Sequence, residues 1–232
     1  MNTVKDFVLS YLISSKDTMT LREAAQATGL HVGAAIGYPH ATRDQAYAKM
    51  ATAEYSLLTA ENACKMNSIA RTAADPATYD FTDCDYLYTF AKDGDMVFRG
   101  HNTCWANVGQ PYYQPDFIRN ETDSTKIEKF LNDYIHAVVG RYEGKAAAWD
   151  IVNEAIDDDP KKNIRDSVFN KVDDFICKAF KWAKEADHSG EMYYNDYNHA
   201  SATGWQKSKS DKVYNLVKDL HDRGCGIDGV GF

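Results

Sequence analysis

The sequence predicts an α/β protein of the eightfold barrel class, a (β/α)8 TIM barrel incomplete here, with about six of its eight units present. Three observations lead there. Short apolar runs alternate with longer segments of helical period, which calls for a parallel sheet with helical crossovers. Polar side chains, namely Glu61, Asn62, His101, Asn153, Glu154, Asn195 and Asp196, stand at the ends of those runs, and a barrel gathers its active site at the C-terminal ends of its strands. The competing doubly wound sheet usually carries a Gly-rich phosphate turn after its first strand; the turn here reads Gly37-Tyr38-Pro39-His40.

Residues 1–17 show helical spacing through Val4, Phe7, Val8, Tyr11 and Leu12, so residues 1–19 are set apart as an N-terminal extension or helix, and 20–232 are read as the barrel. A helix over Leu21–Thr28, closed by Gly29, precedes a first strand over His31–Ile36. Residues 43–54 are helical in pattern, and Ser56–Ala60 is the second strand. A helix over Phe81–Asp93 ends at Gly94, and Met96–His101 is the third strand. A loop rich in Pro, Tyr and Gln spans Thr103–Asn120. Ser124 is the expected N-cap of a helix reaching about Tyr142, with Ile127, Phe130, Leu131, Tyr134, Ile135 and Val138 on its apolar face. The fourth strand lies in Ala146–Glu154, followed by one long helix over Val168–Ala186. Glu191–Asp196 is the fifth strand, residues 205–222 the last helix, and Gly226–Phe232 the sixth strand.

Units of about 33 residues fill this span, whereas a barrel has eight. The sequence is therefore expected to be part of a longer barrel, with low stability from two open sheet edges. An atypical six-stranded sheet is the rival.

The net charge of -8 offers no basic surface for a nucleic acid partner. No apolar run approaches the ~18 residues of a membrane span. Met1–Ser15 carries one Lys, is interrupted by Asp6 and lacks a small-residue cleavage site, so it does not read as a signal peptide. Cys64, Cys84, Cys104, Cys177 and Cys225 are scattered, without metal-ligand spacing. Buried thiols are the expectation, with one disulfide open if the protein is exported.

Trp149-Asp150-Ile151-Val152-Asn153-Glu154-Ala155 carries the most chemistry. A carboxylate at the tip of a buried strand stands where burial can raise its pKa, as a general acid requires. Alone, such an Asn-Glu is more often a loop start or helix cap. Its companions change the reading: Asn62-Ala63-Cys64-Lys65 after strand two, Arg99-Gly100-His101 with Trp105 after strand three, Tyr194-Asn195-Asp196-Tyr197-Asn198 at strand five, and Ile227-Asp228-Gly229-Val230-Gly231-Phe232 at strand six. In this order and spacing, over about residues 20–232, the set resembles family 10 glycoside hydrolases, the endo-1,4-β-xylanases.

The resemblance implies cleavage of β-1,4-linked xylan with retention of configuration. It places Glu154 as acid/base and proton donor and Asn153 as the contact to the sugar 2-hydroxyl. Asn62, Lys65, His101 and Trp105 match residues lining the non-reducing-side sugar sites, and Asn195 helps frame the cleft. Ordinary alternatives are a solvated Lys65, a satisfied core His101 and a packed Trp105; Trp149 is read as core packing.

Glycoside cleavage passes through an oxocarbenium-like state, needs a proton on the leaving oxygen and, with retention, a second carboxylate about 5–5.5 Å from the first. The family carries this nucleophile on strand seven, so none is expected within residues 1–232. Glu185 in a helix and Glu191 at the wrong end of strand five are poor substitutes.

Two departures from the family pattern bear on substrate preference: Met66 where Trp is common, and Trp105-Ala106-Asn107-Val108 in place of Trp-His-Ser-Gln. Xylan or a xylo-oligosaccharide is the implied partner, with no nucleic acid and no membrane, the complete protein being a secreted monomer. No metal and no organic cofactor is implied. A related barrel β-glucanase and a catalytically inactive carbohydrate-binding fragment are the alternatives.

Overall fold

The computed structural model describes residues 19–107 and 113–232. Six strands, β1 (Gly33–Ile36), β2 (Leu57–Ala60), β3 (Val97–Trp105), β4 (Ala148–Asn153), β5 (Glu191–Asn195) and β6 (Gly229–Gly231), lie side by side in chain order. Every pairing is parallel. A helix, α1 (Leu21–Gln26), precedes β1; parallel neighbours need a crossover, and further helices supply it: α2 (Tyr38–Arg43), α3 (Gln45–Glu54), α4 (Met66–Ile69), α5 (Thr82–Asp93), α6 (Asp116–Arg119), α7 (Ser124–Arg141), α8 (Phe175–Ala186) and α9 (Gly204–Asp222). The result is an incomplete (β/α)8 barrel, its six strands forming a curled sheet. The helix read over residues 1–17, and part of the loop read over Thr103–Asn120, lie outside the described residues. Among those described, no helix is long and apolar enough to cross a membrane.

β4 is the central support. All six of its residues are buried, as expected where helices cover one face of a parallel sheet and the barrel interior the other. Trp149 is fully buried and packs 5.9 Å from the Tyr142 ring. A ring of that size contributes about 3–5 kcal/mol to a core. It lies flat on the neighbouring strand because Gly100 has no side chain: a Cβ there would stand 2.1 Å from Trp149 Cε3. The expectation that Trp149 packs is met.

Four details differ from the sequence expectations. β3 runs four residues beyond His101, because Cys104 and Trp105 pair with Val152 and Asn153 across a shift in register. Asp123, not Ser124, caps α7, its carboxylate accepting from the amides of Thr125 and Lys126. The helix expected over Val168–Ala186 is two pieces, a 3-10 turn at Val168–Lys171 and α8, parted where Asp174 adopts φ 53°. A helix at Tyr38–Arg43 fills what reads as a turn, its Pro39 in the first turn where no amide is needed.

The cysteines also depart from expectation. Two pairs are disulfides, Cys64–Cys84 and Cys177–Cys225, and only Cys104 is a free, buried thiol. The first ties the loop after β2 to α5; the second ties α8 to the segment before β6.

Candidate active site

The segment leaving β4 is held by its backbone. Glu154 adopts φ 55°, a left-handed conformation that costs a non-glycine residue about 1–3 kcal/mol. The surrounding bonds offset that cost. The Glu154 amide donates to the Asn195 carbonyl at 2.8 Å, and its carbonyl accepts from Arg165 Nε at 3.1 Å. The amides of Ala155 and Ile156 both donate to the Tyr194 hydroxyl at 3.1 Å. The Ala155 carbonyl accepts from the Arg165 amide at 2.7 Å, and that of Ile156 from Arg165 Nη2 at 3.1 Å. Burial, and next the Asp196 charge, push the Tyr194 hydroxyl well above the usual tyrosine range. It therefore stays protonated and donates to Asp196 Oδ2 at 2.6 Å while accepting the two amides.

All but one of the side chains predicted from the sequence gather at the mouth, in a chain of contacts from Asn62 to Glu154 and a pair formed by Asn195 and Asn153. Lys65 Nζ donates to Asn62 Oδ1 at 3.0 Å and lies 4.6 Å from the centre of the Trp105 ring. Trp105 Nε1 donates to Glu154 Oε2 at 2.9 Å. Asn107, one of the departures noted above, reaches the same oxygen at 3.5 Å. Asn195 Nδ2 donates to Asn153 Oδ1 at 2.7 Å. Asn153 is buried, and that bond leaves its own Nδ2 without a protein acceptor. Burial draws the Lys65 ammonium below the ordinary lysine range, against the opposing pull of Glu61 and Glu154. The Tyr113 ring lies 3.8 Å from that of Trp105.

His101 belongs to a second group, deeper along β3. Its Nδ1 lies 2.8 Å from Asp150 Oδ2. Arg99 Nη2 donates to Asp150 Oδ1 at 2.5 Å, and the guanidinium stacks 4.4 Å from the Tyr193 ring. Arg99, His101, Asp150 and Asn195 line a cavity of about 400 Å³ on the inner face of the sheet, together with Glu61 and the small residues Gly33 and Ala35.

Thus Asn62, Lys65, Trp105, Glu154, Asn195 and Asn153 are brought together at the mouth, and His101 lies on the inner face below them. Glu185 is on α8 beside His136, and Glu191 opens β5 at the opposite end from Asn195. Asp196, counted among the mouth residues by position, is instead fully buried beneath the segment after Glu154. Sequence reasoning missed Arg165, which carries no motif, and Asp150, although a carboxylate within a buried strand signals a buried partner.

The model of the family described as "Glycosyl hydrolase family 10" matches residues 20–232. The endo-1,4-beta-xylanase B of Thermotoga neapolitana is 32% identical over 220 residues, which are 91% of this chain and 59% of that protein. The endo-1,4-beta-xylanase A of Thermotoga maritima is 36% identical over 186 residues, 79% of this chain but 17% of the relative. Among solved structures, xylanase 10B of Thermotoga petrophila in complex with xylobiose superimposes with a TM-score of 0.82 at 31% identity, covering 94% of this chain and 64% of that one. Native xylanase 10B of Thermotoga maritima gives 0.80 at 32% identity, covering 92% and 63%. The chain thus spans less than two thirds of each of these relatives.

Proposed function

The chain belongs to glycosyl hydrolase family 10, and from that premise we propose that the protein carrying it is a retaining endo-1,4-β-xylanase in which Glu154 is the acid/base. The observation that carries the reading is the setting of Glu154. It leaves the end of the central strand on a rigid backbone, with Trp105 on its carboxylate and Lys65, Asn153 and Asn195 around it.

Such a reaction begins when a carboxylic acid protonates the glycosidic oxygen as the bond to C1 lengthens, and the same group later takes a proton from water. Glu154 serves both steps. Asn153 Nδ2, buried and without a protein acceptor, is the donor for the sugar 2-hydroxyl, a bond that strengthens as charge grows at C1. Lys65 and Asn62 hold hydroxyls on the non-reducing side, Trp105 adds an apolar face, and His101 reaches the sugar from the inner face. Asp150 is committed to Arg99 and His101. The family pattern places the nucleophile on a later strand, and the double displacement is proposed for the whole protein rather than for these residues alone.

The start of the family match at residue 20 supports reading residues 1–19 as an extension. Two disulfides support an oxidising, extracellular setting, with the protein acting as a monomer on xylan or xylo-oligosaccharides. The test is Glu154→Gln in the protein that carries this chain. Turnover of xylan falls about 10²–10⁴-fold, the usual worth of a positioned acid/base; hydrolysis near the parental rate sinks the assignment. Products released from xylan and not from cellulose check the substrate.

A further inference from the structure

Beneath the acid/base segment lies a buried ammonium that touches no cleft residue. Lys209, on α9, has a side chain only 1% exposed, a rare state for lysine unless it is paired. Its Nζ donates to Asp158 Oδ1 at 2.7 Å and lies 2.9 Å from Asp196 Oδ1 and 3.6 Å from the centre of the Tyr197 ring. Asp196 uses its other oxygen on the segment after Glu154, and Asp158, itself in that segment, uses its other oxygen on Arg165 and Tyr197. Asp196 Oδ2 accepts from the Tyr194 hydroxyl and the Ile156 amide. Asp158 Oδ2 accepts from Arg165 Nη2 and the Tyr197 hydroxyl. Tyr194 and Arg165 are the groups that fix the backbone of Glu154, Ala155 and Ile156.

We propose that Lys209, touching no reacting atom, is a positioning residue that keeps Glu154 at proton-transfer geometry through Asp158 and Asp196. The inference rests on the acid/base reading of Glu154. Two cations, Lys209 and Arg165, balance two carboxylates in this cluster. Without the ammonium, the fully buried Asp196 loses its cation and faces the like charge of the partly exposed Asp158, so one of them turns away or Asp196 takes a proton. Either change disturbs the bonds that hold Tyr194 or Arg165, and with them the left-handed backbone that aims Glu154. A shift of about 1 Å in such a group can cost on the order of 10² in rate.

The test separates aim from folding by leaving group. Departure of a sugar alcohol needs the proton from Glu154, whereas 2,4-dinitrophenolate leaves without one. In Lys209→Met, measured in the protein that carries this chain, kcat/KM on xylan falls by about 30–100-fold, while kcat/KM on 2,4-dinitrophenyl β-xylobioside stays within about threefold. Lys209→Met/Asp158→Asn, which rebalances the cluster, recovers most of the loss on xylan. Equal losses on both substrates, or none, would overturn the proposal, because a merely structural lysine does not discriminate between leaving groups. Glu154→Gln is the reference. If it too lacks the split, the acid/base reading fails; if it shows the split and Lys209→Met does not, only the positioning role fails. Should Lys209→Met not fold, Tyr194→Phe carries the test, since it removes the hydroxyl while keeping the ring. The same split is then expected, and its absence overturns the inference.

Discussion

The two sides of the mouth are held by different means. On the β2 side, the loop carrying Asn62 and Lys65 is pinned to α5 by the Cys64–Cys84 disulfide. On the β4 side, the segment carrying Glu154 is pinned by Arg165, Asp158, Asp196 and Tyr194, with no covalent bond. The difference follows from the chemistry each side supports. A disulfide limits the unfolded chain and tolerates small adjustments of the loop it closes. A buried network fixes individual backbone groups to within a hydrogen bond, as a proton donor requires. The first arrangement answers to reductant, the second to charge.

Replacing Arg165 with Met should break the comparison most sharply. It removes two side-chain donors from the carbonyls of Glu154 and Ile156 and leaves Asp158 short of a cation. A loss of about 1–3 kcal/mol is expected, chiefly from the unsatisfied carbonyls of Glu154 and Ile156 because the Asp158 end of the ion pair is partly exposed, read by urea unfolding, together with a fall in kcat on xylan. Stability and kcat near parental values would show that the β4 side does not depend on its ions. The paired change Cys64→Ser/Cys84→Ser should be milder on turnover. Closing a loop of this length contributes about 3 kcal/mol, and the loop carries the proposed sugar contacts rather than the proposed acid, so KM should rise with kcat nearly kept. A kcat loss matching that of the Arg165 variant would erase the distinction between the two sides.

Acid should separate them with the smallest effect. Burial pushes the Asp158 carboxyl up, but bonds from Lys209 and Tyr197 and the charges of Lys209 and Arg165 hold it below the usual carboxylate range. Because its pKa is lower folded than unfolded, its contribution is full above about pH 4 and is lost as pH falls through the depressed folded value. Hydrogen-exchange protection of the Ala155 and Ile156 amides should therefore hold down to about pH 4 and drop below it, while that of the Lys65 amide holds. Equal loss at both places would show that acid acts on the whole fold.

The strands and the mouth line were legible in the sequence because both are written locally. An apolar run ending in Asn-Glu, or in Asn with Lys three residues on, needs no knowledge of distant partners. What stayed hidden depends on distance. Lys207, Lys209, Lys212 and Lys218 all lie on α9, yet only Lys209 is buried, because Asp158, 51 residues earlier, meets it there. The cysteine pairs are separated by 20 and 48 residues, and no spacing rule reveals which loop meets which helix. β3 looked finished at His101 because its last residues gain their strand character from β4. The break at Asp174 is likewise a matter of backbone geometry that an amphipathic period does not record.

Gly100 and Trp149 constrain how this fold can be varied. The indole occupies the space that any side chain at position 100 would claim, so the two positions form one unit of choice rather than two. A mutational library that randomises β3 to reshape the cleft would lose most of its members at Gly100 unless Trp149 were diversified with it. Those losses would register as poor expression, because the substituted position lies within the sheet against Trp149. Leaving the pair untouched frees the variation to fall on Trp105 and Asn107, which stand at the mouth beside Glu154.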